Sequence, residues 1–301
     1  MDISKLKPGD NHYQAYVGPP AQYDFMGATQ FRLLCTLGLR AHHYLLDFGC
    51  GSLRSGRLFL SYLDEGRYFG IEPNKWLIED SISNQVGKDL IELKKPRFDY
   101  NSDFKTDVFS EQFDFIVAQS IFSHTGRDII ATAMRNMKES LKPDGLIVAT
   151  FIEGIKDYDG NGWVYPDCVK YSPVTIKRFA KETGLFASRI PWFHPRQTWY
   201  LFGRNKSRLP NKVMRRYLAG AVLFEPEFAA SWKKSQQIIR FNKKYTTLNI
   251  PQQLRNGLKK LLLDKTKSQK SKDYACRREE KITTNILRSI KKNSRNRTYI
   301  P

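Results

Sequence analysis

Cysteine is scarce in this chain, with Cys35, Cys50, Cys168 and Cys276 the four in 301 residues, and no two of them form a C-x-x-C pair. The start, MDISKLKPGD, has no apolar stretch of the kind a secretory signal carries. Both absences point to a reducing, cytoplasmic setting. No apolar run approaches the roughly 18 residues a spanning helix needs, so any membrane contact is expected to be peripheral. No acidic cluster suggests a divalent metal. Acidic residues also run out along the chain: residues 206–301 hold 25 of the 50 Lys+Arg but only 6 of the 30 Asp+Glu. The formal net charge of +20 therefore sits almost wholly in the last third. Such asymmetry marks a solvated tail or a contact with an anionic partner, and it says nothing about an active site.

What is present is a core. Hydrophobic residues make up 41% of the chain, enough for one large or two ordinary domains. Residues 13–26, YQAYVGPPAQYDFM, read as an irregular, tyrosine-rich leader able to close over a pocket, and Ala28 to Gly38 as an amphipathic helix. From residue 43 strand and helix signals alternate. Strands are expected at 43–48, 68–72, 97–101, 113–118, 146–151, 185–190 and 197–203. Helices are expected at 55–63, 75–85, 127–140 and 173–183, with a turn at Lys142-Pro143-Asp144-Gly145. This alternation argues for an α/β fold, a mostly parallel seven-stranded sheet of Rossmann-like type with helices on both faces. The expected domains are a leader and capping helix at 1–40, a core at 41–205, and a basic extension at 206–301. The extension is read as mainly helical (213–224, 228–245) or disordered (265–272).

The most informative stretch is Tyr44 to Gly56, YLLDFGCGSLRSG. An apolar strand ends in Asp47, turns on Gly49 and Gly51, and is expected to lead directly into a helix whose free N–H groups face a polar ligand. Glycine tolerates positive φ and lets backbone approach a ligand closely. Glu72 follows one βαβ unit later, where a carboxylate can accept both hydroxyls of a ribose. A nicotinamide-binding turn would carry a third glycine, but Arg54 stands in its place. An acid just before the first glycine would also sit near the like charge of a pyrophosphate. A cationic ligand suits Asp47 better, and S-adenosylmethionine carries a sulfonium and an α-ammonium.

At this point the chain resembles the class I S-adenosylmethionine-dependent methyltransferases, in register over about residues 40–205. LLDFGCGSLRSG matches the first strand and loop of that family, Glu72 the acid after the second strand, FDFIVAQSIFSH the fourth strand, and LKPDGLIVATF the turn and fifth strand. The resemblance implies that Gly49, Cys50 and Gly51 approach the amino-acid part of the cofactor, with Asp47 supporting the loop. It implies that Glu72 holds the ribose and that Ile71 or Pro73 lines the adenine pocket. It places Asp103, beside Phe104, at the adenine amino group, and Gln119 near the methionine moiety. Arg54 either binds the cofactor carboxylate or pairs with a surface acid.

Methyl transfer to oxygen benefits from a general base, and histidine is the natural one near neutral pH. His124, after the fourth strand, is the first candidate; His194, in WFHPRQTW, is the second. Trp163, Tyr165, Trp192 and Trp199, with Gln197 nearby, suit a sugar ring or planar acceptor. No Asp/Asn-Pro-Pro-Tyr/Phe motif follows the fourth strand, where Ala118-Gln119-Ser120-Ile121 stands instead. No cysteine sits where a base-carbon methyltransferase needs its nucleophile. The expected activity is therefore O-methylation of a sugar, glycan or small metabolite. The alternatives are an RNA methyltransferase using the basic extension, and a non-catalytic cofactor-binding scaffold. A dinucleotide oxidoreductase is a weaker option.

Overall fold

The computed structural model describes residues 2–220. The leader forms α1 (Tyr13–Tyr16) and α2 (Tyr23–Thr36). The core runs β1 (Leu45–Phe48), α3 (Gly56–Tyr62), β2 (Tyr68–Ile71), α4 (Lys75–Ser81), α5 (Lys88–Lys94), β3 (Arg97–Asp99) and β4 (Phe113–Ala118). It continues through α6 (Arg127–Glu139), β5 (Leu141–Phe151), α7 (Pro173–Glu182), β6 (Phe186–Ile190), β7 (Thr198–Gly203) and α8 (Lys212–Gly220). One seven-stranded sheet has the order β3-β2-β1-β4-β5-β7-β6. The first five strands are parallel, and β7 inserts antiparallel between β5 and β6.

Period-two alternation along the strands divides the core between the two faces. Leu46, Phe48, Phe69, Ile71, Ile116 and Ala118 join one apolar cluster; Leu45, Tyr68, Phe115 and Val117 join the other. On the first face α6 contributes Ile130, Ala133, Met134 and Met137, a helical stripe spaced three, one and three residues apart. α7 starts cleanly because the Ser172 hydroxyl accepts the Thr175 N–H at 3.2 Å and Pro173 takes the first turn. The second face is covered by Leu33 and Leu34 of α2, Phe59 and Leu60 of α3, and Ile78 of α4.

Three local readings are corrected. α2 begins at Tyr23, so YDFM is helix rather than irregular leader; the buried Tyr23 anchors it, its hydroxyl donating to the Ser52 carbonyl at 2.8 Å. The turn at 142–145 is a bulge inside one long strand: Phe113 pairs with Leu141 and Phe115 with Leu146, so four residues are absorbed opposite one. α5 has no counterpart in the sequence reading; it is short, and Leu90 and Ile91 only partly bury themselves against the second cluster. Just past residue 205, α8 packs through Leu218, 3% exposed, into the second cluster. The expected helix at 228–245, the polar stretch at 265–272 and most of the basic extension lie outside the described residues. Among the described residues no helix is long and apolar enough to cross a membrane.

Candidate active site

The strand order reverses between β1 and β4, and in an open parallel sheet the carboxyl ends at such a point leave a crevice. The loops after β1, β2, β3, β4 and β5 all emerge on this edge and surround a cavity of about 540 Å³. Its floor is the turn after β1. Gly49 and Gly51 have φ of +72° and +54°; a Cβ on Gly49 would lie 2.1 Å from Ile121 Cδ1, and one on Gly51 2.8 Å from Val17 Cγ1. The turn does not run straight into a helix, since α3 begins only at Gly56. Nor are its N–H groups free: Gly49 and Cys50 donate to the Ile71 carbonyl at 2.8 and 3.0 Å. Polar ligand contacts must therefore come mainly from side chains.

Those side chains are present. Glu72, 7% exposed, accepts Gly51 N–H at 3.1 Å on one oxygen and the Asn74 backbone and side-chain N–H groups at 2.9 and 2.8 Å on the other. Burial pushes its carboxyl up, and these bonds oppose the rise. Each oxygen retains acceptor capacity for a hydroxyl. Both polar atoms of the Gln119 amide are buried with no hydrogen-bond partner among the described residues. Arg54 donates one hydrogen bond, to the Val17 carbonyl at 2.9 Å; its Nε is buried without a partner, and no carboxylate lies within ion-pair distance among the described residues. Burial lowers its pKa, the cost of a guanidinium held without an anion. Ile71, Pro73, Leu77 and Phe104 add apolar lining. Orphaned amide, unpaired cation, glycine cradle and ribose-type carboxylate fit a ligand with an α-amino acid end, a ribose and a flat base.

Gly49, Cys50, Gly51, Arg54, Glu72, Pro73, Phe104, Gln119 and His124 thus come together on one cavity, and three of the sequence-predicted residues do not. Asp47 lies beneath it, 4% exposed and accepting the Tyr68 hydroxyl at 2.8 Å; burial raises its carboxyl to about 7. Asp103 is half exposed and ion-paired with Lys105 at 2.7 Å, which holds its pKa down. Its neighbours Asn101 and Ser102 line the cavity instead. His194 is outside the lining. Its Nδ1 accepts the N–H groups of Arg196 and Gln197 at 3.2 and 3.0 Å, so the proton sits on Nε2, which is buried and unpartnered. Burial, with the nearby charges of Arg54 and Arg196, drives its pKa down to about 3. It braces a turn and has no free basic atom facing the cavity. Trp192 and Trp199 are buried in the second cluster, 4% and 0% exposed, so only Trp163 and Tyr165 of the four aromatics reach the cavity.

The far wall is assembled across long sequence distances. The segment between β5 and α7 is sewn to the loop after β4 by Val164 N–H to His124 C=O at 2.9 Å, Val169 N–H to Ser123 C=O at 2.8 Å and Gly126 N–H to Gly162 C=O at 2.8 Å. This places the rings of Trp163 and Tyr165 5.8 and 5.1 Å from the His124 ring. The leader closes over the same point: the Tyr165 hydroxyl donates to the Tyr16 carbonyl at 3.1 Å, and the two rings lie 5.7 Å apart. His124 Nδ1 lies 2.6 Å from the Asp167 carbonyl. A carbonyl only accepts, so Nδ1 carries the proton and Nε2 a free lone pair. Burial lowers the His124 pKa below its ordinary value, with Arg196 contributing and the Asp167 bond opposing. Tyr16 and Val17 of the leader line the cavity, and sequence reading missed Ser120 and Arg196 as lining residues. Ser120 had no local signal, although it holds a left-handed φ of +63°, stabilised by its N–H to Thr150 Oγ1 at 2.7 Å and by Gln197 Nε2 to its Oγ at 2.9 Å.

Comparison with known proteins bears on residues 46–147, which match a protein-family profile described as a methyltransferase domain. Among curated proteins no sequence matches. The chain is similar in fold to the CcbJ methyltransferase of Streptomyces caelestis, at 16% identity over 62% of this chain and 96% of that one, with a TM-score of 0.46. It is likewise similar to the magnesium protoporphyrin IX methyltransferase of Synechocystis PCC 6803 with bound cofactor, at 10% identity over 68% and 88%, with a TM-score of 0.49. A TehB-like methyltransferase of Corynebacterium glutamicum aligns at 20% identity over 59% and 88%, with a TM-score of 0.43. The matched residues run from β1 into β5 and include the glycine turn, Glu72 and Gln119, so this part of the chain is similar to a methyltransferase domain.

Proposed function

We propose that this protein is an S-adenosylmethionine-dependent methyltransferase that modifies a hydroxyl oxygen of a sugar, glycan or small metabolite, with His124 as the general base. The carrying observation is the His124 tautomer: in a residue that lines the cavity, Nδ1–H is committed to the Asp167 carbonyl at 2.6 Å, which leaves Nε2 as the basic nitrogen. When bound, S-adenosylmethionine supplies a methyl group on a sulfonium, whose sulfur leaves with the electron pair of the broken bond. In this reading Glu72 holds the ribose hydroxyls through its unused lone pairs. Arg54 pairs with the cofactor carboxylate, and the Gln119 amide satisfies its own buried atoms on the amino-acid end. Ile71, Pro73 and Phe104 enclose the adenine, and Gly49, Cys50 and Gly51 shape the floor. Asp47, bonded to Tyr68, supports the turn from below.

His124 Nε2 takes the hydroxyl proton as the new oxygen–carbon bond forms. Its lowered pKa keeps it unprotonated at neutral pH, which a base requires. Tyr16, Trp163 and Tyr165 exclude water from the transfer and offer ring faces to the acceptor. The test is incubation of the full chain with methyl-labelled S-adenosylmethionine and cell extract separated into RNA, protein, lipid, polysaccharide and small molecules. Alkali-stable label in the polysaccharide or small-molecule fraction is the expected result. Label confined to RNA, protein or lipid overturns this reading.

A further inference from the structure

The side chains lining the cavity carry one more positive than negative charge. Glu72 is the one carboxylate in the lining, against the two guanidinium groups of Arg54 and Arg196. Under the function proposed above, Glu72 is taken by neutral hydroxyls and Arg54 by the cofactor carboxylate. Arg196 is left over. It is exposed, and among the described residues its guanidinium makes no hydrogen bond or ion pair, although its backbone N–H is held by His194 at 3.2 Å. It sits on the acceptor side, close enough to bear on the charge state of His124.

Two other residues of the same lining add to it. Gln197, 8% exposed, spends its Nε2 on Ser120 and leaves Oε1 buried without a partner in the lining. Trp163 is 48% exposed, a large ring kept uncovered beside His124 although its backbone is pinned by a bridge to Thr125. An exposed cation, an unpaired amide oxygen and a bare aromatic face around one basic nitrogen describe a hydroxylated ring that carries an anion.

We infer that the acceptor is a small hydroxylated ring compound bearing a carboxylate or phosphate, its anion paired with Arg196, its ring face on Trp163 and its reacting hydroxyl at His124 Nε2. The inference rests on the small-molecule reading of the same site. Arg196 is then a specificity-determining residue, and its charge also favours the oxyanion that develops as the hydroxyl proton leaves.

The experiment uses the full chain, methyl-labelled S-adenosylmethionine and the small-molecule pool of a cell extract divided on an anion-exchange resin at pH 8. The retained fraction is expected to take up label. Phosphatase treatment of that fraction removes the acceptor if the anion is a phosphate; methyl esterification removes it if the anion is a carboxylate. Arg196→Gln is expected to raise the acceptor KM about tenfold or more, with Arg196→Lys recovering part of the loss and cofactor affinity unchanged in both. Label in the unretained fraction, indifference to both treatments, or an Arg196→Gln KM equal to the parent overturns the inference while leaving the small-molecule reading intact. No label in any small-molecule fraction, with cofactor binding retained, overturns that reading and the inference together.

Discussion

The two halves of the cavity are built from different materials. On the cofactor half the shape comes from backbone at the ends of β1 and β2, where Gly49, Gly51 and Glu72 lie within one βαβ unit. On the acceptor half it comes from side chains. His124, Trp163 and Tyr165 stand on segments that meet because the loop after β4 and the segment after β5 exchange backbone hydrogen bonds, and Arg196 stands on the β6–β7 connection, tied to the loop after β4 by Gln197 Nε2 to Ser120 Oγ. The leader touches both, with Val17 against Gly51 and Tyr16 against Tyr165. A half made of strand ends is set by the register of the sheet; a half made of side chains on loops can change its ligand without disturbing the sheet.

Four substitutions test whether the halves are separable. The largest effect is expected from Gly49→Val, which forces a β-branched residue to φ +72° and drives a Cβ toward Ile121. Measurable cofactor binding by calorimetry should disappear. His124→Ala should lower kcat by about 10³-fold, within the usual range for a general base, while the cofactor Kd stays unchanged. Because burial depresses the His124 pKa, the parent rate should rise with pH through a limb below the ordinary value of 6.5 and then level off; the variant should lack that limb. A change in cofactor Kd with His124→Ala would mean that the halves are coupled.

Glu72→Ala should weaken cofactor binding by about 2–3 kcal/mol, roughly 100-fold, leaving Gly51 and Asn74 N–H groups unpaired as well. Its acceptor KM at saturating cofactor should not move. The smallest effect on catalysis is expected from His194→Ala, which should keep kcat but lose about 1–3 kcal/mol of stability by stranding two backbone donors. Its pH signature is specific. Native His194 stays neutral down to about pH 3, whereas in the unfolded chain it protonates near 6.5. The unfolded state therefore takes up a proton first, so this stability is full above pH 6.5 and declines as pH falls toward 3. Thermal unfolding of His194→Ala across that window should show a flatter decline.

Much of the cofactor half was legible in the sequence. Gly49, Gly51 and Glu72 are close in the chain, and glycine and acid at that spacing carry a mechanical meaning of their own. Asp103 was misplaced on the same half by one side-chain direction: the loop after β3 turns Asn101, Ser102 and Phe104 inward, with Phe104 at φ +62°, and leaves Asp103 to Lys105. A loop without period carries no signal for which of its residues faces in. The two histidines looked alike in sequence. They differ because His124 meets a carbonyl and His194 meets two N–H groups, and those partners fix opposite tautomers.

The sequence by itself determined the order of elements along the chain, the glycine turn with Glu72 one βαβ unit later, and the break in charge after residue 205, because each is written in local pattern or composition. Tertiary structure alone decided which histidine lines the cavity and which braces a turn, which tryptophans are core and which are cavity, and that Arg196 lines the same cavity with no side-chain partner among the described residues. Those outcomes depend on hydrogen bonds between residues such as Val164 and His124, forty positions apart, which no local pattern encodes.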